Sequence, residues 1–411
     1  MVPARRRGSV TLRRRIIDLL LTRRTLSRAE LARLTRLNKP TISAVVARLI
    51  DDGIVHEIGA GVSTGGRKPI LLAVRETSRL VVGVEIDAAG CRLLLVTLRG
   101  ESVAAVDLPM ATPRVEVVVD TIAAGIDALF ADRDRSALLG CGVAAPGLVD
   151  PAQDTVDSAT RLGWRGVPLR GLLEARLQTP VMVTDRGKAA GLGELWVLGK
   201  EQAHDLIYLY LGRGVAGAIV LGHEIHWGSS FMAGEIGHMT VDPRGPACAC
   251  GSHGCLEALV STAAILGRGR RLLTTSRDSA LRSLLAEGAP DMDGIAAIGG
   301  AATGGDPLAL EIVRETARWL GLAIANLVNA LNPAVVILGG PTAEWGQVLI
   351  DAIDRELQAW TLPLSRRAVR VVAGEARERA VPLGAAALVL QRAGELLARP
   401  HVSLTTVETA A

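Results

Sequence analysis

The chain has 411 residues, 49% of them hydrophobic and 21% charged, which is enough for two or three domains with substantial cores. Three of its five cysteines lie between residues 248 and 255, and an odd, clustered set argues against the disulfide framework of a secreted protein. The net charge of +4 hides an asymmetry, because residues 1–75 carry 16 Lys and Arg against 5 Asp and Glu. This head has a net charge of +11 and the remaining residues one of −7, which predicts a nucleic acid or another anionic surface as the partner of the head alone.

The apolar segments do not predict a membrane protein. Residues 16–21 form a short apolar run that Asp18 interrupts, unlike the core of a secretory signal. The longest uncharged stretch, residues 319–343, contains Asn332, Pro333 and a pair of glycines, which favour a buried helix, a turn and a strand. We therefore expect a cytoplasmic protein.

The first predicted elements form a helix-turn-helix. Ser27 followed three residues later by Glu30 is typical of a capping box and predicts a helix from Arg28 to about Thr35. A tight turn then leads to a second helix with Pro40 in its first turn, where the missing N–H costs nothing. An earlier helix, from Leu12 to about Leu21, completes the predicted three-helix core.

The second helix has the composition of a DNA recognition helix. Its apolar residues face inward, while short polar and basic groups face outward, where they can reach base edges and phosphates in a major groove. The outward-facing residues are Asn38, Lys39, Thr41, Ser43, Ala44 and Arg48. Two alternating strands follow, over residues 54–58 and 70–74, and the glycine-rich connection between them brings Arg67 and Lys68 to the tip of a wing.

These features together predict duplex DNA as the partner of the head. No aromatic residue precedes Phe130, so stacking on single strands is not available to it. Arg5, Arg6 and Arg7 are expected to form a disordered arm until they meet phosphate. The alternative is a helical dimerisation module whose arginines are merely solvated.

Beyond Ser78 the pattern changes to that of an α/β protein. Strand-like runs such as LVVGVEI and CRLLLVTL precede an amphipathic segment over residues 115–130, and strand and helix signals alternate from there on. No repeat of the solenoid kind is visible. The polar residues 401–411 are expected to form a frayed tail.

One short motif, GEIGHMTVDPRGPACACGSHGCLE, groups one histidine with three of the five cysteines. His238, Cys248, Cys250 and Cys255 supply one imidazole and three thiolates, a set that suits tetrahedral zinc with no ligand position left for water. Such a site is structural rather than catalytic. The alternatives are a redox pair and cysteines that are merely buried.

With this motif in place, the chain resembles the ROK family of bacterial sugar kinases and sugar-responsive repressors. The resemblance covers essentially the whole chain, and further segments that carry it are VVGVEIDAAGCRLLLVTL, GVAAPGLVD, RLGWRGVPL, LGRGVAGAIVLG and NPAVVILGG. The basic head makes the repressor branch the better match, because that branch carries a winged helix-turn-helix ahead of a kinase-like body.

The resemblance implies an α/β fold in which a winged helix-turn-helix precedes a two-lobed body like those of actin and hexokinase. The DNA-binding head is expected over residues 1–76. A small lobe is expected over residues 77–186, completed by residues 382–400, and a large lobe with the zinc site over residues 187–381.

The same resemblance implies a sugar pocket. In the family, groups that match Glu235, His238 and Glu257 contact sugar hydroxyls, so zinc would hold a sugar-binding loop in shape. The family's pocket asparagine aligns with Arg161, which together with Arg186 and Lys188 favours an anionic effector such as a sugar phosphate or sugar acid. Two alternatives stay open: the arginines pair with the pocket glutamates and close the pocket, or the effector is an ordinary neutral sugar.

The parts that phosphoryl transfer needs are altered. The family's first phosphate loop has the form Asp-X-Gly-Gly-Thr, whereas residues 85–89 read Glu-Ile-Asp-Ala-Ala. The catalytic segment of active relatives resembles Glu-Asn-Asp-Ala-Asn, and its Asp aligns with Arg186, which cannot accept a proton at ordinary pH. Asp185 lies one place earlier and is a further candidate for the effector pocket. In the second phosphate loop, Arg213 stands where active relatives carry a small residue.

We therefore expect a zinc-containing transcriptional regulator, most simply a repressor of carbohydrate uptake or catabolism genes, and not an enzyme. Its expected partners are double-stranded operator DNA and a sugar or anionic sugar derivative. A homodimer or homotetramer would match a palindromic operator. The alternatives are an active sugar kinase with a DNA-binding head, and a body that binds another protein without any small ligand.

Overall fold

The computed structural model describes residues 4–61, 68–150, 155–199, 204–275, 279, 281–285 and 291–399, and it begins with a helix-turn-helix head. The head helices are α1 (Ala4–Arg23), α2 (Arg28–Thr35) and α3 (Lys39–Asp51). Its strands are β1 (Leu26–Ser27), β2 (Val55–Ala60) and β3 (Ile70–Val74), which form an antiparallel sheet in the order β1-β3-β2. The predicted winged helix-turn-helix is therefore confirmed.

Local capping determines where the second and third helices begin. The Ser27 hydroxyl accepts from Glu30 N at 3.2 Å, and the Glu30 carboxylate accepts from Ser27 N at 2.7 Å, which is the predicted capping box. These donors hold the pKa of Glu30 below its ordinary value. Helix α2 ends at Arg36 in the left-handed region, and Asn38 caps α3 by accepting from Thr41 N at 2.9 Å.

The first helix is longer than the sequence predicted. Its backbone runs from Ala4 to Arg23, so Arg5, Arg6 and Arg7 belong to a helix and the expected disordered arm is wrong. Alanine and arginine are strong helix formers, and extending an existing helix adds one hydrogen bond for each residue fixed.

The strands of the body build two five-stranded sheets with the same strand order. They are β4 (Leu80–Asp87), β5 (Gly90–Thr97), β6 (Ser102–Pro109), β7 (Leu138–Ala145), β8 (Leu148–Asp150), β9 (Thr155–Ala159), β10 (Trp164–Val167), β11 (Val181–Asp185), β12 (Leu206–Leu211), β13 (Val215–Leu221), β14 (Glu224–Ile225), β15 (Val335–Gly339) and β16 (Arg370–Ala373). The first large sheet has the order β11-β7-β4-β5-β6 and the second the order β14-β13-β12-β15-β16. In each, the first three strands along the chain are antiparallel, the fourth pairs with the first in parallel, and the fifth pairs with the fourth in parallel. The three remaining strands form a small sheet, β10-β9-β8.

Helices cover both large sheets. They are α4 (Val115–Leu129), α5 (Leu169–Leu177), α6 (Arg186–Leu198), α7 (Leu256–Val260), α8 (Thr262–Thr275), α9 (Leu281–Leu284), α10 (Asp291–Thr303), α11 (Pro307–Leu331), α12 (Gln347–Trp360), α13 (Pro363–Ala368), α14 (Ala380–Gln391) and α15 (Ala393–Ala398). Short 3-10 helices lie at Arg135–Ala137, Ile236–His238, Pro341–Trp345 and Arg377–Arg379. Within the described residues, no helix combines the length and the apolar character that crossing a bilayer requires.

Helices α6 and α14 lie between the two large sheets and join the lobes. Helix α14 packs on β4 and β7, α6 packs on β12 and β13, and the two helices pack on each other. Gly384 makes the closest approach possible, because a Cβ there would lie 1.6 Å from the carbonyl oxygen of Ala189. Gly142 has the same role beneath α14, where a Cβ would lie 1.8 Å from the carbonyl oxygen of Ala385. The lobes are thus joined by helices in direct backbone contact.

The head packs against the body through α1 and α15. Ile16, Ile17 and Leu20 of α1 share one buried apolar cluster with residues of β4, β5, α14 and α15. Arg13 Nε donates to the carbonyl oxygen of Leu397 at 3.3 Å. Separate apolar clusters fill the small and the large lobe. The head is therefore held by the side of the body that carries the C-terminal helix.

Candidate functional site

The recognition helix presents its predicted DNA-binding side chains to solvent. Its inward-facing residues Ile42, Val46 and Leu49 are buried, as the spacing predicts. The outward-facing residues are all exposed: Asn38, Lys39, Thr41, Ser43, Ala44 and Arg48. Lys68 at the wing is exposed as well, and Arg67 lies outside the described residues.

Two of these residues also stabilise the helix that carries them. Oδ1 of Asn38 accepts from Thr41 N at 2.9 Å and from Thr41 Oγ1 at 2.6 Å. The carboxamide oxygen is therefore used as the helix cap, which leaves the amide nitrogen as the group that can read DNA. The sequence analysis missed this role, although an asparagine directly before a helix start is a recognised signal for it.

The predicted metal ligands converge in the structure. One ligand atom from each of His238, Cys248, Cys250 and Cys255 lies within 4.8 Å of all the others. Cys248 Sγ is 3.7 Å from His238 Nδ1, and Cys250 Sγ is 3.7 Å from Cys255 Sγ. A tetrahedral zinc with Zn–S bonds of about 2.3 Å requires S···S separations of about 3.8 Å. The donor set and its dimensions fit a structural zinc ion.

The cluster of His238, Cys248, Cys250 and Cys255 is built into the segments that carry Glu235 and Glu257. Glu235 directly precedes the 3-10 helix that ends at His238, and Cys255 is the cap of α7, whose first turn contains Glu257. The two halves are joined by a hydrogen bond from Leu256 N to the carbonyl oxygen of Met239, at 2.9 Å. Any change in metal coordination would therefore move both glutamates.

Glu235 and Glu257 have different surroundings. Glu257 accepts from Val215 N at 2.8 Å, which ties it to the β12–β13 turn. The carboxylate of Glu235 has no hydrogen-bond partner among the described residues, and burial raises its pKa. The charges of Asp185 and Glu257 raise that pKa further, whereas those of Lys188 and His238 lower it. Five of the predicted pocket residues therefore lie close together: Glu235, Glu257, Asp185, Lys188 and His238.

Lys188 is buried, with 2% of its surface exposed, and it is paired with Asp185. Its Nζ lies 2.7 Å from Asp185 Oδ2, and its backbone N–H donates to Asp185 Oδ1 at 2.8 Å. On another side, the ammonium lies 5.9 Å from the centre of the Trp227 ring. The charge of Lys188 is thus offset and shielded from solvent.

Arg186, the first residue of α6, is bound by the two carboxylates of the altered phosphate loop. Its guanidinium lies 2.7 Å from Asp87 Oδ2 and also contacts Glu85 Oε1. Burial raises the pKa of Glu85, and the positive charges of Arg186 and Arg92 oppose that shift. Position 186 therefore holds a cation with two acidic partners. The acidic partners of Arg186 are thus Glu85 and Asp87, and not Glu235 or Glu257.

Arg161 lies at the same cleft and is exposed. Burial raises the pKa of Tyr210, and the charges of Arg186 and Arg161 lower it, so both guanidiniums lie near this ring. Tyr210 and Trp227, which lie near these charged residues, were not among the residues predicted from the sequence. Tyr210 had a signal, because the alternation in LIYLYLG places it on the same face as Tyr208. Trp227 had no such signal in the sequence, because only the tertiary fold brings it close to α6.

Comparison with known proteins agrees with this architecture. The model of the ROK family matches residues 81–392, and a winged helix-turn-helix DNA-binding model matches residues 11–56. A putative xylose repressor of Caldicellulosiruptor sp. (strain Rt8B.4) is 31% identical over 94% of this chain and 96% of its own. A glucokinase of Halalkalibacterium halodurans is 34% identical over 70% of this chain and 88% of its own.

Among solved structures, a ROK family transcriptional regulator, a homologue of the Escherichia coli MLC protein, superposes with a TM-score of 0.81. It is 23% identical and covers 96% of this chain and 98% of its own, which establishes a shared fold including the head. The match of the family model to most of the body, together with the zinc-type motif, leads to one conclusion. The chain belongs to the ROK family and carries a winged helix-turn-helix ahead of the family's body.

Proposed function

We propose that this protein is a sugar-responsive, DNA-binding repressor of carbohydrate uptake or catabolism genes, acting in the cytoplasm on chromosomal operators. The observation that carries the proposal is the pairing of Arg186 with Glu85 and Asp87, at the position to which the family resemblance assigns a kinase's general base. The exposed recognition helix supplies the DNA-binding function, and the body senses its ligand without phosphorylating it. Similarity to a putative xylose repressor over 94% of the chain supports this choice.

Phosphoryl transfer lacks both of its requirements here. A base must take the proton from the sugar hydroxyl, and a guanidinium cannot do so at ordinary pH. A backbone cradle must also receive the nucleotide phosphates, and Asp87 and Ala88 stand where the family's loop has its two glycines, so that a carboxylate lies where a phosphate would bind. Release of ADP in the presence of a panel of hexoses and pentoses should stay at the level of a protein-free control. Turnover at about 1 per second or faster would favour the kinase alternative instead.

The charge balance of the cleft favours a neutral sugar over an anionic one. Arg186 has two carboxylate partners, and Lys188 is buried against Asp185, so neither cation is available to an incoming phosphate or carboxylate. Glu235 is half-buried and its carboxylate has no hydrogen-bond partner among the described residues, so a sugar hydroxyl could be its donor. We therefore propose that Glu235, Glu257, His238 and Asp185 surround a neutral sugar, with Arg161 at the rim.

Calorimetry with matched sugars tests this choice. We expect heat from a neutral pentose or hexose and none from the corresponding sugar phosphate or sugar acid. Glu235→Gln should weaken binding about tenfold or more, because a charged acceptor is replaced by a neutral one. Binding of the phosphorylated sugar alone would contradict the neutral-sugar proposal and restore the anionic one.

We further propose that His238, Cys248, Cys250 and Cys255 hold one structural zinc ion. The four ligands complete the coordination, so the metal would supply rigidity and no reaction step. Its effect on the pocket would pass through His238 and Cys255, which flank the two glutamate-bearing segments. Elemental analysis of purified protein should give about one zinc per chain.

The route from the pocket to the head follows from the packing of the helices. Asp185 and Lys188 lie at the start of α6, and α6 packs along α14, which is followed after one residue by α15. Helix α15 packs on α1 of the head. We propose that a sugar between the lobes changes the angle between α6 and α14 and so moves the heads of an oligomer relative to each other.

Selection of duplex sequences by the purified protein tests the regulator function directly. We expect enrichment of one sequence with two related half-sites, as two copies of a helix-turn-helix require, and release of that DNA by a neutral sugar. Lys39→Ala, on the recognition helix, should weaken binding to the enriched sequence. Equal binding to all duplexes would contradict the proposal.

A further inference from the structure

A cavity of about 440 Å³ lies between the small lobe and the C-terminal helix α15, and none of the proposed sugar-site residues lines it. It is formed by α5, the start of β11 and one face of α15, and we call it the α5–α15 cavity. Its volume is in the range of small-molecule sites in proteins, roughly 300–1,000 Å³. Strand β11 leads from this cavity, at Val181 and Met182, to Asp185 of the sugar site.

The charged side chains of the cavity leave an excess of positive charge. Three arginines and two glutamates line it: Arg170, Arg392, Arg399, Glu174 and Glu395. Both glutamates already have arginine partners, because Arg170 lies 3.1 Å from Glu174 and Arg399 lies 2.8 Å from Glu395. Arg392 is exposed, and no carboxylate among the described residues forms an ion pair with it. One guanidinium is thus left to bind an external anion.

Apolar side chains lie beside these arginines in the cavity. Val181 is buried, and Met182 and Leu396 are half-buried. Leu396 is four residues after Arg392, so the two side chains are neighbours on the surface of α15. The cavity is several times larger than a bare phosphate or carboxylate group, so a ligand that fills it has an organic part to place against these side chains.

The cavity adjoins the contact between α15 and the head. The hydrogen bond from Arg399 holds the pKa of Glu395 below its ordinary value, and the charges of Arg14 and Arg392 lower that pKa further. Arg14 belongs to the head helix α1. A Cβ on Gly394 would lie 1.7 Å from Asp18 Oδ1, so α15 and α1 are in direct contact beside the cavity. A ligand bound at Arg392 would therefore share the electrostatic surroundings of the head helix.

We propose that the α5–α15 cavity binds a small organic anion, either a phosphate monoester or a carboxylate, as a second ligand besides the sugar. Arg392 supplies the contact to the anionic group, because guanidinium groups bind phosphate and carboxylate oxygens through paired hydrogen bonds. Met182 and Leu396 contact the organic part. The site is additional to the proposed repressor function, which involves only the sugar and DNA.

Calorimetry of the full-length protein with phenyl phosphate and with benzoate, at constant ionic strength, tests the proposal without DNA or sugar. The two probes share an apolar ring and differ in the anionic group, so they distinguish a phosphate ligand from a carboxylate ligand. We expect one of them to bind, and Arg392→Ala should weaken that binding at least about tenfold, because hydrogen bonds between charged groups are lost. The matched control is Arg355→Ala, an exposed arginine of α12 that also has no ion pair among the described residues, and it should bind like the unaltered protein.

Further measurements decide against the proposal if it is wrong. Both replaced side chains are exposed, so both variants should fold, which circular dichroism would verify. A dissociation constant above about 10 mM for both probes would overturn the proposal. Binding that Arg392→Ala leaves unchanged would do the same, because the anion would then lie elsewhere, for example on the basic head. Binding of poly-glutamate while neither small probe binds would indicate an acidic protein as the partner and would also overturn it.

The bare anions test the organic part of the ligand. Inorganic phosphate and acetate make no contact with Met182 or Leu396, so each should bind more weakly than the probe that carries the same anionic group. Equal affinity of the bare anion and its probe would overturn the assignment of an organic ligand.

Discussion

Gly384 allows the two lobes to meet, and its replacement by alanine should destabilise the body. The new Cβ would lie 1.6 Å from the oxygen and 2.5 Å from the carbon of the Ala189 carbonyl group, and 2.7 Å from Gly193 N. All three are backbone atoms of α6, so no side-chain rotation can relieve the contact. To reach ordinary van der Waals distance, one helix must move by roughly 1.5 to 2 Å relative to the other.

The size of the effect follows from two opposing contributions. Overpacking a tight contact costs about 1–3 kcal/mol, and contacts with backbone on both sides belong at or above the upper end of that range. Alanine in place of glycine inside a helix returns about 1 kcal/mol. We therefore expect a net loss of about 2 kcal/mol or more, equivalent to roughly 4–8 °C in unfolding temperature for a domain of this size.

Calorimetry of the purified protein measures this change, and the chain offers a matched control. Gly300 lies exposed in α10, and a Cβ there would meet no atom within 4 Å. Gly300→Ala should therefore raise stability by about 0.5–1 kcal/mol. If Gly384→Ala unfolded at the same temperature as the unaltered protein, or above it, the close packing of α6 and α14 would be refuted. The proposed route from pocket to head would then lose its basis.

Three further results are expected. Lys39→Ala should weaken operator binding and lower the slope of log affinity against log salt concentration by about 1. Gel-shift titrations at several salt concentrations would measure both quantities, and the control Arg176→Ala, on the body, should change neither. Cys255→Ser should lose the bound zinc in elemental analysis, while Cys141→Ser, a buried cysteine outside the cluster, should retain it; equal zinc content in both variants would contradict the ligand set. Burial raises the pKa of Glu194, although backbone N–H groups of the 375–376 segment oppose the shift. The stability that this carboxyl group contributes is therefore present below the ordinary glutamate pKa and is lost as the pH rises through the pKa of the folded state. Glu194→Gln removes this titration, and its unfolding temperature relative to the unaltered protein should rise across that window; a constant difference would show that Glu194 does not titrate differently in the two states.

The helix-turn-helix and the His/Cys cluster could be predicted from the sequence because their signals are local. Ser27 and Glu30 are three residues apart, and the capping box that they predict is the one observed. The three cysteines of the motif lie between residues 248 and 255, so few chain conformations can keep them apart. The family resemblance rests on the same kind of contiguous segment.

The chemistry of the cleft was decided by tertiary structure alone. Three cations read from the sequence suggested an anionic ligand, yet Glu85 neutralises Arg186 across 101 residues, and the fold buries Lys188 beneath Trp227. The common strand order of the two lobes was equally invisible, because strand pairing leaves no mark in a local pattern. A segment's residues determine which element it forms, whereas the net charge of a pocket depends on which distant segments the fold brings within hydrogen-bond distance.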